Sequence, residues 1–538
     1  MRRILLFAAF LSAFWAQPLL AAPDQPRQLT AEQWREDLRF MAAELKTRHA
    51  NLYHKVSQAK FDAAVADLDR RIPQLQRNQI MVGMMRIAAL VGDGHTRIEP
   101  RKDKAFGFRS LPLTLYWFDD GIYVRAAITD HRDLLGARIE AVGGVPIAES
   151  IRRVSELVST ETLSGPRLFV PRYLAMPDIL QALGLSDSRE AATFTLVRDG
   201  HRSTVRVPAG EVAPPWPGDT DISLVTPDGW IDARSAAQPL WLQAPLDYHR
   251  LIELPGGSLY AQLNMVADAK TETLSAFGDR ILERSKALNS KAIVLDLRLN
   301  QGGNGELRQG FVRSLIKAED ADTRLFVLTA RGTFSASQFI LDDLDRLTDA
   351  LFIGEPASSR PTGYGDAFRS TLSNSGISVR TSIKYWQSGQ DMRPYTPVDL
   401  APAYRFADYA AGRDPMLEAA LAFSSAQLLD QRLIEGAGKG AAAIGAVASD
   451  PIYRYADIEA SARRTSMQLA RAKEQPAAIA LARWTAERFP QSSDAATVLA
   501  LVADSAGLKD EAVKAARTAV ALDPNNRFVT AILAPTKP

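Results

Sequence analysis

The clearest hydrophobic pattern in the chain lies between residues 291 and 360, where three short apolar runs each lead into a polar or glycine-containing turn. The runs cover residues 292–295, 325–328 and 350–353. Apolar runs of this length are typical of strands that are buried on both faces of a parallel sheet. After the second run, apolar residues recur at helical spacing from residue 339 to residue 347. Ser335 is therefore predicted to lie where a strand turns into a helix.

Changes of pattern divide the remaining sequence into helical, β-rich and linker segments. The N-terminal helical region begins at Thr30, which has the capping-box spacing to Gln33. The predicted division is residues 23–106 as an N-terminal helical bundle, 107–210 as a β-rich module, 211–238 as a linker, 239–425 as an α/β core, 426–455 as a second linker and 456–538 as helical repeats. We therefore expect a multidomain α/β protein.

The C-terminal region contains a repeat of 34 residues. Phe489-Pro490 and Asp523-Pro524 are separated by this distance, and so are Ala478 and Ala512. The period is that of tetratricopeptide repeats, which place small residues at the helix contact and proline at the turn. Two such units are fewer than usually stand alone, so we expect them to dock on the body of the protein or on a protein partner. A plain helical hairpin is the alternative.

Both the N-terminus and the amino-acid usage indicate an exported protein. Residues 1–22 have the pattern of a secretory signal peptide, because Arg2 and Arg3 precede an apolar stretch that ends in small residues. The chain contains no cysteine, which excludes a disulfide scaffold, a cysteine nucleophile, a thiolate zinc site and a lipid-modified cysteine anchor. No later apolar run approaches the ~18 residues of a membrane span. We predict a periplasmic or secreted protein.

The charge of the chain is balanced. Once the signal peptide is removed, the 64 basic residues lose Arg2 and Arg3 and equal the 62 acidic residues in number. A balanced surface gives no reason to expect nucleic acid or anionic lipid as a partner.

The predicted position of Ser335 favours a chemical role. At a helix N-terminus, free N–H groups and the positive end of the helix dipole converge beside the serine hydroxyl. Such groups can stabilise an oxyanion. The alternative is an ordinary N-cap serine, which is common before helices.

Three motifs around these apolar runs resemble the core of the tail-specific (C-terminal-processing) and tricorn-type serine peptidases. They are Asp-Leu-Arg-x-Asn-x-Gly-Gly at 296–303, Phe-Ser-Ala-Ser at 334–337 and Gly-Glu-Pro at 354–356. The resemblance covers roughly residues 30 to 420 and implies a crotonase-like α/β peptidase core at 239–425. It also implies that Ser335 is the nucleophile. The oxyanion hole would then combine the backbone N–H of Ala336 with that of Gly302 or Gly303.

The chain departs from the tail-specific pattern at two positions. Arg360 stands where tail-specific members carry their lysine general base, and arginine cannot accept the serine proton because it stays protonated in proteins. Gln338 stands where the family usually has a glutamate. Either another base serves or the site is inactive. If Arg360 keeps the position of the lysine, we expect it to bind a carboxylate, either Glu355 or the C-terminus of a substrate peptide.

A histidine motif supplies another base. Asp-Gly-His-Thr at 93–96 resembles the tricorn-type branch, in which the histidine of such a motif is the general base, so His95 is the expected base in a Ser-His-acid mechanism. A structural histidine is the alternative. In tricorn-type relatives a carboxylate downstream of the serine orients the histidine. Here Asp391, 56 residues after Ser335, is preferred over Asp399, and loop solubility is the alternative for both.

The β-rich module at 107–210 resembles the PDZ-like module that this family often carries, through Leu-Gly-Ala-Arg-Ile-Glu-Ala-Val-Gly-Gly at 135–144. PDZ domains bind extended peptides by strand addition, and a spacer without a ligand is the alternative. The resulting functional prediction is a serine-type endopeptidase that acts on a peptide or protein substrate without a metal or organic cofactor. A catalytically inactive peptide-binding scaffold is the main alternative. An α/β-hydrolase esterase is disfavoured because no Gly-x-Ser-x-Gly occurs.

Overall fold

The structure is a computed structural model that describes residues 28–100, 103, 105–210, 224–235, 238–387 and 391–534. The predicted signal peptide and most of the first predicted linker lie outside these ranges. Within them, no helix combines the length and the apolar character needed to cross a membrane.

The N-terminal region consists of three helices, α1 (Ala31–Arg48), α2 (Gln58–Arg71) and α3 (Arg77–Ala89). Helix α1 begins with the expected capping box, in which the Thr30 hydroxyl accepts the Gln33 N–H and the Gln33 side chain accepts the Thr30 N–H. The apolar residues of α1 that recur at helical spacing are buried, among them Leu38, Met41 and Leu45. Helix α3 ends just before the segment that carries His95.

An antiparallel sheet follows, with the strand order β1-β2-β3-β5-β6. Its strands are β1 (Leu113–Phe118), β2 (Gly121–Ala127), β3 (Arg138–Val142), β4 (Val145–Pro146), β5 (Ala191–Arg198), β6 (His201–Pro208) and β7 (Ile231–Asp232). Between β4 and β5 lie helices α4 (Ile147–Ser155), α5 (Ser164–Leu174) and α6 (Pro177–Ala182). Strand β7 falls inside the predicted linker 211–238 and pairs with β2. The described part of that segment is therefore attached to the sheet.

The predicted α/β region contains a five-stranded sheet of order β12-β11-β10-β9-β8. After the short helix α7 (Leu240–Gln243) come β8 (His249–Glu253), β9 (Leu259–Leu263), α8 (Leu274–Leu288), β10 (Ala292–Asp296), α9 (Arg308–Ala318), β11 (Arg324–Thr329), α10 (Ala336–Leu347) and β12 (Leu351–Gly354). Strands β9 to β12 are parallel and β8 is antiparallel. Apolar residues 240–242 follow Pro239 at the start of this region. The chain turns there into helix α7 after Pro239, which buries Trp241 and Leu242.

Both faces of this sheet are covered, which explains why its strands are apolar without alternation. One set of side chains, including Ile293, Leu295 and Val327, packs with helices α8, α9 and α10. The opposite set, including Val294 and Leu328, packs with residues from the C-terminal part of the chain. The three apolar runs recognised in the sequence are thus the central strands of a buried sheet.

The chain continues with a two-stranded antiparallel hairpin and then becomes helical. The elements are β13 (Gly363–Thr371), β14 (Ser378–Trp386), α11 (Phe406–Ala410), α12 (Pro415–Leu421), α13 (Leu429–Ala437), α14 (Ala441–Ala448), α15 (Ile458–Arg471), α16 (Gln475–Arg488), α17 (Ser493–Ser505), α18 (Lys509–Leu522) and α19 (Thr530–Leu533). The prediction of a linker at 426–455 was wrong. Helices α13 and α14 occupy the segment because its apolar residues, such as Leu433 and Ile444, pack into the same core as the sheet.

Helices α15 to α18 occupy the region predicted to form repeats, and Ala478 and Ala512 are fully buried in α16 and α18. Side chains of α15 and α16 belong to the hydrophobic core that also includes one face of the parallel sheet. The first pair of helices is therefore docked on the body of the protein, one of the two expectations from the repeat count. The tetratricopeptide assignment itself stays a prediction.

Arg298, which belongs to the motif at 296–303, connects the sheet to the C-terminal helices. Its guanidinium donates to both oxygens of Asp414 at 2.8 Å and also to Asp296, and all three side chains are buried. We expect Asp414→Ala to lower the free energy of unfolding by about 3–5 kcal/mol, because it leaves a buried guanidinium short of a partner. Thermal and urea midpoints measure the effect. Asp494→Ala, which removes an exposed pair with Arg463, should cost less than about 1 kcal/mol, and equal losses would contradict the prediction.

Candidate active site

Ser335 lies in a tight turn between strand β11 and helix α10. Its backbone has φ +59° and ψ −124°, a conformation that residues other than glycine rarely adopt. The turn is held in place because the Ser335 N–H donates to Ser359 Oγ at 2.9 Å and the Phe334 N–H donates to the Asn300 carbonyl at 3.0 Å. Ser335 lines a cavity of about 160 Å³ that is open to solvent.

Gly302 packs directly against the serine turn. A Cβ atom at Gly302 would lie 2.7 Å from the Cβ of Ser335 and 2.9 Å from the backbone nitrogen of Ala336. The φ of Gly302, +105°, also favours glycine. The turns after β10 and β11 meet because these two strands are parallel neighbours in the sheet. Glycine at this position is therefore required for the close approach of the two turns.

Two backbone N–H groups beside Ser335 are free of protein partners. Neither Gly303 N–H nor Ala336 N–H donates a hydrogen bond to any residue in the described ranges. Ala336 is the first residue of α10, so its N–H has no acceptor within the helix. The Gly302 N–H instead donates to Asn300 Oδ1 at 2.9 Å. Of the two glycines that the sequence left open, Gly303 has the free donor.

His95 reaches Ser335 from a distant part of the sequence. Its Nε2 lies 3.0 Å from Ser335 Oγ, and the ring of Phe334 stacks on the imidazole with 4.3 Å between centroids. Burial lowers the pKa of His95 to about 4, and the positive charge of Arg97 acts in the same direction. The ring is therefore neutral at pH 7, so its Nε2 is able to accept the proton of Ser335.

Asp93 fixes the backbone that carries His95. Its Oδ1 accepts the backbone N–H groups of His95 at 2.9 Å and of Thr96 at 2.8 Å, while its Oδ2 faces His49 Nε2 at 2.9 Å. Because His49 Nδ1 accepts a backbone N–H from Asn51, His49 Nε2 carries the proton that Asp93 accepts. Burial works to raise the pKa of Asp93, but these hydrogen bonds hold it at about 2. Asp93 is thus a carboxylate with its acceptor sites occupied.

Neither of the two acids expected to orient His95 lies against it. Asp391 accepts hydrogen bonds from the Arg393 side chain at 3.0 and 2.6 Å, and the same guanidinium also pairs with Asp345. Asp399 accepts the Phe352 N–H at 2.8 Å, and burial raises its pKa to about 6. The expectation for Asp391 therefore fails for a local reason, because an arginine two residues later binds its carboxylate.

Arg360 lines the cavity, as expected for a residue at the lysine position, but it does not pair with Glu355. Its Nη2 donates to the Met392 carbonyl at 2.7 Å. Glu355 is bound by Arg331, whose Nε lies 2.7 Å from the carboxylate, and the charge of Arg331 opposes the effect of burial on the Glu355 pKa. Of the two carboxylates proposed for Arg360, that of a substrate peptide is the one still available.

Gln338, at the position of the usual glutamate, is buried on the first turn of α10. Its amide donates to Asp342 Oδ1 at 2.7 Å and to Thr396 Oγ1 at 2.6 Å. The side chain therefore joins α10 to the segment after β14, and its contacts leave Ser335 and His95 undisturbed.

Among the described residues, Asp93, His95 and Glu161 form the one group of side chains that could hold a metal ion. Each offers a ligand atom within 4.8 Å of the others. However, Asp93 already accepts hydrogen bonds on both oxygens. A cation would have to displace these contacts, so the donor set does not fit a metal site.

Two polar residues of the site were missed by sequence reasoning. Glu161 lines the cavity beside His95, and Ser359 holds the Ser335 backbone. Glu161 lies in the stretch Ser-Thr-Glu-Thr between α4 and α5, where nothing in the local pattern indicates chemistry. Ser359 lies one residue before Arg360. The family resemblance therefore identified this segment, but it singled out Arg360 and not Ser359.

Comparison with solved structures finds chains that match roughly two thirds or more of this chain at low identity. Mature CPAF complexed with lactacystin has 13% identity, covers 65% of this chain and 89% of its own, and has a TM-score of 0.45. The photosystem II D1 C-terminal processing protease has 17% identity, coverages of 69% and 94%, and a TM-score of 0.33. The tricorn protease has 12% identity, coverages of 73% and 36%, and a TM-score of 0.31.

These structures include both peptidase types that the sequence motifs resemble. No family model matches the sequence. No curated protein matches it either. Identities this low carry no information about substrate or mechanism, so the roles of Ser335 and His95 depend on their own geometry.

Proposed function

We propose that the chain is an exported serine-type peptidase in which Ser335 is the nucleophile and His95 is the general base. The observation that carries this proposal is the 3.0 Å separation between His95 Nε2 and Ser335 Oγ inside one solvent-open cavity. A neutral histidine at hydrogen-bond distance from a serine hydroxyl is the pairing that activates the hydroxyl for attack.

The proposed reaction begins when Ser335 Oγ attacks the substrate carbonyl carbon while its proton passes to His95 Nε2. The carbonyl oxygen becomes an oxyanion, and the free N–H groups of Gly303 and Ala336 are the proposed donors to it. His95 then gives its proton to the leaving amine, and the acyl-enzyme forms. In the second half, His95 takes a proton from water as the water attacks the ester carbonyl. His95 then returns that proton to Ser335 Oγ as the bond to the acyl group breaks and the acid product leaves.

A peptide substrate is proposed because the motifs resemble peptidases and because the cavity offers varied side chains around Ser335. Phe339 and Trp386 supply apolar surface. Lys384, paired with Asp366, and Arg308, paired with Asp343, supply charged groups. Such a lining suits the mixed side chains of a polypeptide. The PDZ-like module at 107–210 and the C-terminal repeats remain proposals for binding substrate and a protein partner. Export depends on residues 1–22, outside the described ranges.

The test of the function is covalent labelling of the purified mature chain by a fluorophosphonate probe, together with cleavage of a denatured protein substrate. We expect the folded chain to be labelled at Ser335, which peptide mass analysis locates, and the heat-denatured chain to remain unlabelled. A folded chain that binds peptides but is neither labelled nor able to cleave them would favour the inactive scaffold instead.

Arg360 offers a prediction that separates chemistry from substrate binding. In Arg360→Lys the charge is kept, but the planar fork that binds a carboxylate on two nitrogens is lost. We expect fluorophosphonate labelling of Ser335 to stay within about twofold of the wild type while kcat/KM for a long peptide falls about tenfold. Arg488→Lys, an exposed change of the same type, serves as the control. Parallel loss of labelling and turnover would mean that Arg360 supports the catalytic geometry itself.

A further inference from the structure

The imidazole of His95 lacks a carboxylate in hydrogen-bond contact. Its Nδ1 is buried and makes no hydrogen bond of good geometry in the described part of the chain, although the Tyr364 backbone acts to raise the His95 pKa. A histidine base becomes positively charged when it takes the serine proton, and a nearby carboxylate stabilises that charge. Asp391 and Asp399 bind other groups, as described above. A different acid is needed to stabilise protonated His95 during proton transfer from Ser335.

Glu161 is placed to supply it. One of its carboxylate oxygens lies within 4.8 Å of a ring nitrogen of His95. The carboxylate is held by backbone donors, because Gly94 N–H donates to Oε1 at 3.2 Å and Arg360 N–H donates to Oε2 at 3.4 Å. Gly94 directly precedes His95 in the chain, and Arg360 directly follows Ser359, which holds the Ser335 backbone. The position of Glu161 is thus coupled to both halves of the site.

The fold leaves room for this carboxylate at Gly363. A Cβ atom at that position would lie 2.5 Å from Glu161 Oε2, so any larger residue at the start of β13 would displace the acid. Glu161 lines the same cavity as Ser335 and is partly accessible from it. The carboxylate therefore lies in the reaction chamber beside the base.

Asp93 is a less suitable source of the charge. Its charge acts to raise the pKa of His95, but its oxygens accept two backbone N–H groups, the Ser382 hydroxyl and the His49 ring. Those contacts fix the loop and neutralise part of the carboxylate field. Glu161 accepts two longer backbone hydrogen bonds, and the positive charges of Lys55 and Arg360 also act on its carboxylate.

We propose that the ionised carboxylate of Glu161 is the acid that stabilises the protonated His95 formed when Ser335 transfers its proton. Glu161 acts as a positioning residue through the electric field, and no proton moves to it. The Ser335 proton resides on His95 Nε2 until the leaving amine takes it, so the proton count of the reaction is unchanged. This inference rests on the proposed peptidase function.

The ionisation of Glu161 is set by its surroundings. Burial raises its pKa to about 7, and the negative charge of Asp93 acts in the same direction, while the backbone donors and Arg360 oppose the rise. The titratable and charged groups that face the carboxylate are Asp93, His95, Lys55, Arg360 and Tyr364. Since ionised Glu161 is the active form, kcat/KM should rise with pH around a midpoint near 7.

The test compares Glu161→Gln with the wild type across the pH range 5 to 9. Glutamine keeps the size of the side chain and removes the charge. We expect kcat at pH 8 to fall at least about tenfold with KM little changed, and the rise of kcat/KM near pH 7 to disappear. Glu161→Asp keeps the charge, so it should retain the rise of kcat/KM near pH 7. Its kcat should lie between those of the wild type and Glu161→Gln. Glu156→Gln, an exposed change in the same region, should behave as the wild type.

Stability separates this role from a structural one. The pKa of Glu161 is higher in the folded chain than its ordinary value of 4.5, so its ionisation costs folding free energy as the pH rises from about 4.5 through 7. Glu161→Gln should therefore leave Tm at pH 8 unchanged or raise it while activity falls. A fall in Tm that parallels the fall in activity would overturn the electrostatic role.

The outcomes also distinguish this inference from the function on which it rests. A wild-type chain that is not labelled at Ser335 would overturn the function and the inference together. An active wild type whose Glu161→Gln variant keeps full rate and the same pH profile would overturn the inference alone. If Asp391→Asn abolished the rise near pH 7 instead, the role would return to Asp391.

Discussion

Replacing Ser335 by alanine should abolish fluorophosphonate labelling and lower peptide hydrolysis by about 10⁴-fold or more. The substitution removes only Oγ, the atom that lies 3.0 Å from His95 Nε2. The Ser335 N–H bond to Ser359 and the helix start at Ala336 do not depend on the hydroxyl. The variant should therefore fold with an unchanged Tm. Active-site labelling and the rate of peptide cleavage measure the effect.

The matched control is Ser203→Ala, which removes a hydroxyl from the exposed surface of strand β6. Labelling and turnover should match the wild type there. Labelling that survives in Ser335→Ala would place the nucleophile elsewhere and refute the proposed site. A residual rate of hydrolysis above that of water is consistent with the site, because the proposed oxyanion donors remain.

Replacing His95 by alanine should lower kcat at least ~10³-fold, since Ser335 then loses the group that takes its proton. His95 contributes little else to the reacting atoms, so KM should change much less than kcat. Labelling by a fluorophosphonate should slow in the same proportion. Steady-state kinetics and the time course of labelling measure the two effects.

His201→Ala, on the exposed face of strand β6, is the histidine control and should leave both rates unchanged. Because burial lowers the pKa of His95 to about 4, protonation of the base itself should limit the rate only in acid, well below pH 6. A rate that keeps climbing beyond pH 9, or that tolerates His95→Ala, would contradict a histidine base.

The parts of the site that sequence could predict are those that depend on short, contiguous patterns. The apolar runs at 292–295 and 325–328 form strands β10 and β11, and Ser335 lies at the predicted junction with a helix. His95 was found because the motif at 93–96 is local. Asp93 belongs to that motif as well, so its effect on the loop could have been inferred from the same four residues.

The parts that could not be predicted depend on contacts between distant segments. Glu161 approaches His95 only because the segment between α4 and α5 passes over the loop after α3. The choice of Asp391 relied on its spacing from Ser335, and spacing gives no information about Arg393 as a competing partner. The choice between Gly302 and Gly303 likewise needed the side-chain contact of Asn300.

The segment at 426–455 shows a different limit. Its small residues and glycines weaken the helical pattern in the sequence. The helices are nevertheless stabilised by tertiary packing, because Leu433 and Ile444 are buried in the hydrophobic core. Pattern alone therefore predicted a linker where the structure has two packed helices.

The separation of 240 residues between His95 and Ser335 has a consequence for the cell that makes the protein. Neither the helical region nor the parallel sheet has both residues, so the proposed active site assembles only when both parts of the chain have folded together. On the proposed function, the chain gains proteolytic activity only once these two distant parts have packed together.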